Sequence, residues 1–234
     1  MDAVASTARL VTVAHGTRQV AGNEVARELT SLAGEVLGVP ATASYVELSE
    51  PLFASVVAGL AEPAVAVPLL LSTGFHMRQD LPEAVEGAGA PVRLGRPLGP
   101  DPLLAAAQAD RLREAGAEPG CPVTMVAAGS SDAEALPQLA EAAELLAAEW
   151  GGPVRVSTLT ALGERPAQVV QPGDAVSPYL LSGGYFADRA RRESLEAGAA
   201  VVAGVIGPHP RVVELVVARA RTLWTTSTER DASV

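Results

Sequence analysis

The chain shows its first clear structural pattern in the stretch Leu10-Val11-Thr12-Val13-Ala14-His15-Gly16-Thr17-Arg18. The apolar and β-branched residues at its start are typical of a buried parallel strand. A histidine, a glycine and a hydroxyl residue follow at the point where that strand would end. Ligands of open α/β sheets bind outside the carboxyl ends of the strands, so this position predicts a functional role for His15.

The composition is that of a globular protein whose core contains few aromatic residues. Of the 234 residues, 48% are apolar, 19% are charged and only 3% are aromatic, which suits a large core of Ala, Val and Leu. The sequence contains no apolar run long enough to span a bilayer and no signal-peptide pattern at its start. A single cysteine, Cys121, excludes an intramolecular disulfide and is expected to be a buried strand residue. Together these features predict a cytoplasmic protein.

The net charge of the chain indicates which classes of partner it can bind. A net charge of −10 is unsuited to nucleic acid, which is bound through a basic surface. We therefore expect a small-molecule substrate, without nucleic acid or membrane partners. An anionic substrate would need a local basic patch that acts against the overall field. The sequence leaves open whether the protein is a monomer or a homodimer.

Strands and helices alternate along the first half of the chain. The patterns predict strands at 9–15, 42–48, 64–71 and 92–94, and helices at 21–37, 51–60, from 80 onward and at 102–114. Such alternation is typical of βαβ units and of a four-stranded parallel sheet flanked by helices, an α/β fold. The common doubly wound strand order 2-1-3-4 would place the first strand between the second and the third.

The pattern then repeats after a linker at 115–120. Residues 126–130 repeat 13–17, residues 177–186 repeat 67–76, and residues 206–210 repeat 98–102. The chain is therefore predicted to be two tandem βαβαβαβα units, 1–117 and 118–234, that face each other across a cleft. At the matching positions Ala128 replaces His15 and Phe186 replaces His76. This asymmetry predicts that the first unit carries the chemistry and that the second closes over it.

Three side chains are predicted to meet at the carboxyl edge of the first sheet: His15, Glu47 and His76, at the ends of strands one, two and three. Imidazole binds divalent Fe, Co, Ni and Zn, and it is a general base near neutral pH. Two histidines and a carboxylate are therefore suited to hold a transition metal or to take protons from pyrrole nitrogens. Glu50 is an alternative to Glu47, although Glu50-Pro51 is also typical of a helix start.

Other polar residues have simpler interpretations or weaker signals. Asp80 is interpreted most simply as a helix cap and alternatively as a hydrogen-bond partner of His76. His209, which stands where the first copy has Asp101, is interpreted as a helix-start residue and not a ligand. Arg18 and Arg78 follow the two histidines and are candidates to pair with substrate carboxylates. The sequence contains neither a GxGxxG nor a GxxxxGK[ST] motif, so nothing in it supports a nucleotide site.

Three motifs resemble those of the sirohydrochlorin chelatase family, within the class II tetrapyrrole chelatases: His15-Gly16-Thr17-Arg18, residues 46–51 and residues 68–82. The resemblance covers nearly the whole chain in the two-unit form of that family. It implies a lyase that inserts Fe(II), for siroheme, or Co(II), for cobalamin, into sirohydrochlorin with release of two protons. ATP and an organic cofactor are not implied, and Ni(II) stays open as a further metal.

The resemblance also implies roles for individual residues. His15 and His76 become the catalytic, metal-handling histidines, and the acid falls on Glu47 or, by a local shift, on Glu50. Which histidine accepts the proton and which binds the metal stays open. The residues expected to bind substrate are Gly16, Thr17, Arg18, Ser72, Thr73, Gly74 and Arg78. A non-enzymatic carrier of metal or tetrapyrrole, using the same histidines, is the alternative function.

Overall fold

A computed structural model describes residues 9–231, without the side chains of residues 75–76 and 226–231. The strands are β1 (Arg9–Ala14), β2 (Ala41–Tyr45), β3 (Ala64–Pro68), β4 (Val92–Leu94), β5 (Val123–Ala127), β6 (Val154–Thr158), β7 (Ala175–Tyr179) and β8 (Val201–Val202). The helices are α1 (Val20–Leu37), α2 (Phe53–Ala58), α3 (Phe75–Arg78), α4 (Asp80–Glu86), α5 (Pro102–Glu114), α6 (Ala135–Trp150), α7 (Pro166–Val169), α8 (Tyr185–Glu196) and α9 (Pro210–Asp231). Within this part of the chain, none of the helices combines the length and the apolar character that a membrane span requires.

The strands form two four-stranded parallel sheets of identical topology. Their orders are β2-β1-β3-β4 and β6-β5-β7-β8. In the first sheet, Val13 of β1 pairs with Ser44 of β2 and with Pro68 of β3. The second sheet repeats this register, with Val126 of β5 between Ser157 and Pro178. Both the predicted fold class and the predicted 2-1-3-4 order are confirmed.

The first sheet is covered on both faces because side chains alternate along its central strand. Val11 of β1 packs in a buried cluster with Phe53 of α2 and Leu81 of α4. Its neighbour Thr12 points to the other face, where its hydroxyl lies 2.5 Å from that of Thr30 on α1. The sheet is therefore the middle layer of three. The helices cover its two faces, and the carboxyl ends of its strands lie at one edge of these layers.

The second sheet is built in the same way. Val126 of β5 and Val176 of β7 pack in a buried cluster with Ala190 of α8. From α5, the fully buried amide of Gln108 donates a hydrogen bond to Ser177 Oγ of β7 over 2.8 Å. This hydrogen bond helps to fix how α5 packs on the sheet, because a buried N–H donor without a partner is costly.

The contacts divide the chain into two compact units that do not coincide with the two copies in the sequence. Among the described residues, one unit comprises 9–70, 75–98 and 212–231, and the other comprises 71–74 and 99–211. Helix α5, which ends the first copy, thus belongs to the unit of the second sheet, and α9 from Val212 onward belongs to the unit of the first. There Arg219 of α9 donates to the Leu98 carbonyl over 3.0 Å. The assignment of the chemistry to residues 1–117 and of a closing role to 118–234 stays a prediction.

At the carboxyl edge of the first sheet, the strands are shorter than predicted. β2 ends at Tyr45 instead of Leu48, and β3 ends at Pro68 instead of Leu71. The central strand β1 ends at Ala14, and neither neighbour has a strand to pair with beyond that point. Glu47 therefore lies in a turn after β2. His76, predicted at the end of the third strand, lies instead in the short helix α3.

Three smaller expectations can also be compared with the structure. Asp101 caps α5 as predicted, since its side chain accepts a hydrogen bond from the Leu103 N–H at 3.0 Å. The interpretation of Asp80 as a cap is wrong, because Gln79 has the cap position and Asp80 lies in the first turn of α4. Cys121 is half-buried and precedes β5, so its prediction as a buried strand residue is also wrong.

Candidate functional site

His15 and Glu47 lie together at the carboxyl edge of the first sheet. His15 Nε2 is 3.6 Å from Glu47 Oε1, and the two side chains are 51% and 50% exposed. His15 Nδ1 is 3.3 Å from the carbonyl oxygen of Gly16. A carbonyl can only accept a hydrogen bond, so this contact favours the tautomer with its proton on Nδ1 and its lone pair on Nε2. The pair can therefore offer a lone pair and a carboxylate to the same metal ion or proton.

A tight backbone turn holds these two residues side by side. The Glu47 N–H donates to the His15 carbonyl over 3.1 Å. Gly16 has a φ of +93°, and a Cβ at this position would lie 1.9 Å from the Glu47 carbonyl oxygen. Leu48, next to Glu47, also has a positive φ of 62°. Backbone of this kind is costly for residues other than glycine and is found preferentially at functional sites.

Asn23 of α1 is a residue that sequence reasoning missed. It is buried, and its Oδ1 accepts a hydrogen bond from the Thr17 N–H at 3.0 Å. Its Nδ2 donates to the Thr17 carbonyl over 2.8 Å and to Ser49 Oγ over 2.9 Å. Asn23 thus joins the loop after β1 to the loop after β2. The sequence signal that could have identified Asn23 is its polar amide on the helix face that otherwise carries Ala26, Leu29 and the other buried residues.

Glu50, the alternative acid, has a different contact. Its Oε2 accepts a hydrogen bond from the Leu52 N–H at 2.9 Å, directly before α2. This is the contact of a helix-start residue, which the Glu50-Pro51 pattern also indicated. Glu47, by contrast, lies within ion-pair distance of His15.

The third motif runs through residues that belong to both units. His76 is part of α3, and its side chain lies outside the described residues. In the preceding segment, the Thr73 N–H donates to Gln138 Oε1 over 2.7 Å, and Gln138 Nε2 donates back to Thr73 Oγ1. The Leu71 carbonyl accepts a hydrogen bond from the Tyr179 hydroxyl at 3.0 Å. The structure thus brings His15 and Glu47 together, and the convergence of His76 with them stays a prediction.

The residues expected to bind substrate differ in exposure. Arg18 and Arg78 are exposed, and Gly16, Thr17, Ser72, Thr73 and Gly74 are half-buried. The Thr17 hydroxyl accepts a hydrogen bond from the Gln19 N–H at 3.2 Å. Among the described side chains, which do not include that of His76, three or more His, Cys, Asp or Glu residues do not gather into a potential metal site. Both the substrate-binding and the metal-binding assignments stay predictions.

The equivalent edge of the second sheet has the same turn without the same chemistry. Gly129 has a φ of +94°, and a Cβ there would lie 2.2 Å from the Thr160 carbonyl oxygen. Thr160 donates to the Ala128 carbonyl twice, from its N–H over 3.0 Å and from its hydroxyl over 2.8 Å. Ala128 and Thr160 therefore stand where His15 and Glu47 stand. The asymmetry between the copies extends to the acid, which the sequence comparison had not identified.

His209, the third histidine of the chain, has a structural role. Its Nδ1 accepts a hydrogen bond from the Arg211 N–H at 3.3 Å, and its Nε2 is 3.5 Å from Asp110 Oδ2. Burial lowers the pKa of His209, and the positive charge of Arg111 lowers it further. The imidazole is therefore neutral at neutral pH and holds the start of α9, in agreement with its interpretation as a helix-start residue.

Known proteins match the chain over one copy or over both. A sequence model of the CbiX family matches residues 9–115. The sirohydrochlorin ferrochelatase of Bacillus subtilis (strain 168) is 28% identical over 234 residues, which cover 89% of this chain and 89% of the relative. The sirohydrochlorin cobaltochelatase of Methanosarcina acetivorans is 28% identical over 123 residues, which cover 45% of this chain and 95% of the relative.

A solved structure agrees along almost the full length. SirB from Bacillus subtilis, determined with Fe3+, matches with a TM-score of 0.79 and 25% identity, and the match covers 95% of this chain and 98% of SirB. The two parallel sheets thus have the architecture of a chelatase of known structure. The CbiX match includes both His15 and His76. The chain is thus similar to sirohydrochlorin chelatases, to one of them over a single copy and to another over both copies.

Proposed function

We propose that this protein is a sirohydrochlorin chelatase, a lyase that inserts Fe(II) or Co(II) into sirohydrochlorin and releases two protons. The proposal depends above all on the half-exposed His15–Glu47 pair, for which the second copy has Ala128 and Thr160. The names of the relatives, a ferrochelatase and a cobaltochelatase, support the reaction. The Fe3+ in the SirB structure supports iron as a metal that such a fold can bind.

The chemistry required of the protein is proton transfer and metal delivery. Insertion forms bonds between the metal and the pyrrole nitrogens and breaks two pyrrole N–H bonds. In our proposal the two protons go in turn to a histidine and from there to solvent, and His15 offers its Nε2 lone pair for both transfers. Glu47 Oε1, at 3.6 Å, stabilises the imidazolium and passes the proton to solvent through its half-exposed carboxylate. His76 is the second metal-handling histidine, and the division of roles between the two histidines stays open.

Binding of an acidic macrocycle requires local positive charge, since the chain carries a net charge of −10. Arg18 and Arg78 are the exposed cations that follow the two histidines in sequence. Guanidinium groups bind carboxylates through paired hydrogen bonds, so these two arginines are suited to the carboxylates of sirohydrochlorin.

The decisive experiment compares histidine variants in an anaerobic insertion assay. The full chain is mixed with sirohydrochlorin and either Co(II) or Fe(II), and the change in macrocycle absorbance is followed. We expect His15→Ala/His76→Ala to lose insertion, because both imidazoles are removed, while circular dichroism stays that of the native fold. The matched control is His209→Gln, whose structural histidine lies outside the proposed site and which should retain the native rate.

Two outcomes would contradict the proposal. Native rates in the double histidine variant would exclude these residues from the chemistry. Tight binding of sirohydrochlorin or metal by the native chain, without any metallated product, would identify a carrier instead of an enzyme.

The physiological metal needs its own measurement. Imidazole and carboxylate ligands accept Fe(II), Co(II) and Ni(II), and affinity alone does not select among them. Competition between Fe(II) and Co(II), each at limiting concentration, would show which metal is inserted faster, with Ni(II) as a third competitor. The absence of an organic cofactor, the oligomeric state and the cytoplasmic location stay predictions.

A further inference from the structure

We infer that Gln138, a residue of the second copy, positions the segment that carries His76. The inference rests on the proposed function, because it concerns how one of the two proposed histidines is held in place. Gln138 lies on α6, in the same compact unit as Leu71–Gly74. It touches no proposed reacting group itself, so its role is positioning and not catalysis.

The contact between Gln138 and Thr73 uses both ends of the amide. Gln138 Oε1 accepts the Thr73 N–H at 2.7 Å, and Gln138 Nε2 donates to Thr73 Oγ1. The two residues are half-buried. Two hydrogen bonds from one amide fix both the backbone and the side-chain rotamer of Thr73, three residues before His76.

Comparison of the two copies shows that both partners of this contact are departures from the repeat. Gly16 and Gly129 precede the first helix of each copy, Gly38 and Gly151 end it, and the spacing between them is identical. By this alignment Gln138 stands where the first copy has Val25. Likewise Thr73 stands where the second copy has Gly183. The amide occurs only in the second copy, and the hydroxyl occurs only in the first. This indicates a specific contact between the two residues and not a shared requirement of the fold.

A second anchor acts two residues earlier. The buried Tyr179 hydroxyl donates to the Leu71 carbonyl over 3.0 Å, where the first copy has Leu69 in place of tyrosine. Burial raises the pKa of Tyr179, so the phenol keeps its proton for this bond. Leu71–Gly74 is thus held at its start by Tyr179 and near its end by Gln138.

The helix that carries His76 depends on such anchors. α3 has only four residues, Phe75–Arg78. A helix this short is not stable by itself, because the cost of nucleation exceeds what its few hydrogen bonds return. Its position depends on the packing of Met77 against the buried cluster of the first sheet and on the chain on either side, where Thr73 is held by Gln138.

The test uses the full chain with Gln138→Val, which introduces the residue of the first copy. We expect the insertion rate constant to fall on the order of 10-fold, since small displacements of a reacting group carry large rate penalties. The KM for sirohydrochlorin should rise as well, because Gln138 holds Thr73, which is expected to bind the substrate, whereas the melting temperature should change little. Gln138→Glu, which can still accept from the Thr73 N–H and from its hydroxyl, should restore most of the rate. The matched control is Glu144→Val, an exposed position on the same helix.

Hydrogen–deuterium exchange gives a readout that does not depend on turnover. Peptides that cover residues 72–78 should exchange faster in Gln138→Val than in the native protein, and at the native rate in Gln138→Glu and Glu144→Val. Unchanged exchange, or a native insertion rate in Gln138→Val, would overturn the positioning role. If the native protein inserts no metal at all, the proposed function fails instead, and the exchange of these peptides still decides whether Gln138 restrains the segment.

Discussion

Glu47 and His15 are the two side chains that distinguish the turn of the first copy from the equivalent turn of the second. Both copies make the same glycine turn, with the same backbone hydrogen bond to the residue before the glycine. The first copy places an imidazole and a carboxylate on that turn, and the second places Ala128 and Thr160. The sequence predicted that His15 and Glu47 would meet because each stands at the end of a predicted strand. It could not predict Asn23, whose importance comes from three contacts with loops far along the chain.

The two candidate acids make a prediction at this scale. Glu47→Gln should lower the insertion rate constant by about 100-fold, because an amide cannot accept the proton from the imidazolium. Glu50→Gln should retain the native rate, since its amide oxygen can still accept from the Leu52 N–H and the start of α2 persists. Steady-state insertion kinetics of the two variants check this. A slow Glu50→Gln beside a normal Glu47→Gln would move the role of the acid to Glu50.

The local sequence pattern predicted the strands and the long helices. It did not predict the short helix and the strand ends at the carboxyl edge of the first sheet. Apolar runs and helical spacing predicted β1, α1 and α5 to within a residue or two, and an aspartate cap and a proline marked the start of α5. α3 has four residues, too few to show a period. β2 and β3 are shorter than the sequence pattern indicated, and their shared neighbour β1 ends at Ala14, a limit that lies in another part of the sequence.

At the amino edge of the second sheet, a buried ionic cluster ties three strands together. Asp174, before β7, accepts hydrogen bonds from Thr124 of β5 at 3.0 Å and from the Gln171 N–H at 2.8 Å, and it also pairs with Arg155 of β6. Burial by itself would raise the pKa of Asp174, but Arg155 and these hydrogen bonds lower it overall. The charged form is therefore the one that the folded protein stabilises.

The lowered pKa of Asp174 gives a pH-dependent contribution to stability. The contribution is complete above the ordinary aspartate pKa of about 3.9 and is lost as the pH falls through the lower value of the folded state. We expect Asp174→Asn to reduce the free energy of unfolding by about 1–3 kcal/mol at pH 7, and by less as the pH approaches 3. Urea unfolding at a series of pH values measures this, with Glu118→Gln, an exposed carboxylate, as the control. A difference that does not change with pH would show that the charge of Asp174 is not responsible.

At the scale of the whole molecule, the copies in the sequence and the units of contact are different divisions of the chain. The repeat ends with α5, yet α5 packs with the second sheet, and Val212 onward returns to the first unit. In that unit Arg93 donates to the Leu223 carbonyl over 3.0 Å and Arg219 to the Leu98 carbonyl over 3.0 Å. Helical periodicity specifies that α5 and α9 each have an apolar face. It carries no information about which of two similar sheets covers that face.

Because α5 belongs to the unit of the second sheet and α9 from Val212 onward to the unit of the first, we can predict which fragments of the chain fold. Residues 1–117 alone should lack cooperative unfolding, because the fragment exposes the buried Leu104 and Leu112 of α5 and lacks α9. Residues 1–98 joined to 212–231 by a flexible Gly/Ser linker should unfold cooperatively in urea. Circular dichroism during urea titration of the two fragments makes the comparison. Equal cooperativity in the 1–117 fragment would place the folding boundary at the end of the repeat.

The assignment of α5 to one unit and of α9 to the other also sets the order in which the two units can be completed during synthesis. β1, with His15 directly after it, leaves the ribosome before the other strands and helices described above, and residues 212–231 leave after them. The nascent chain can complete the unit of the second sheet once residue 211 has emerged. The unit that holds the imidazole–carboxylate pair must wait for the final turns of α9, so the unit whose first strand emerges earlier is the one of the two that is completed later.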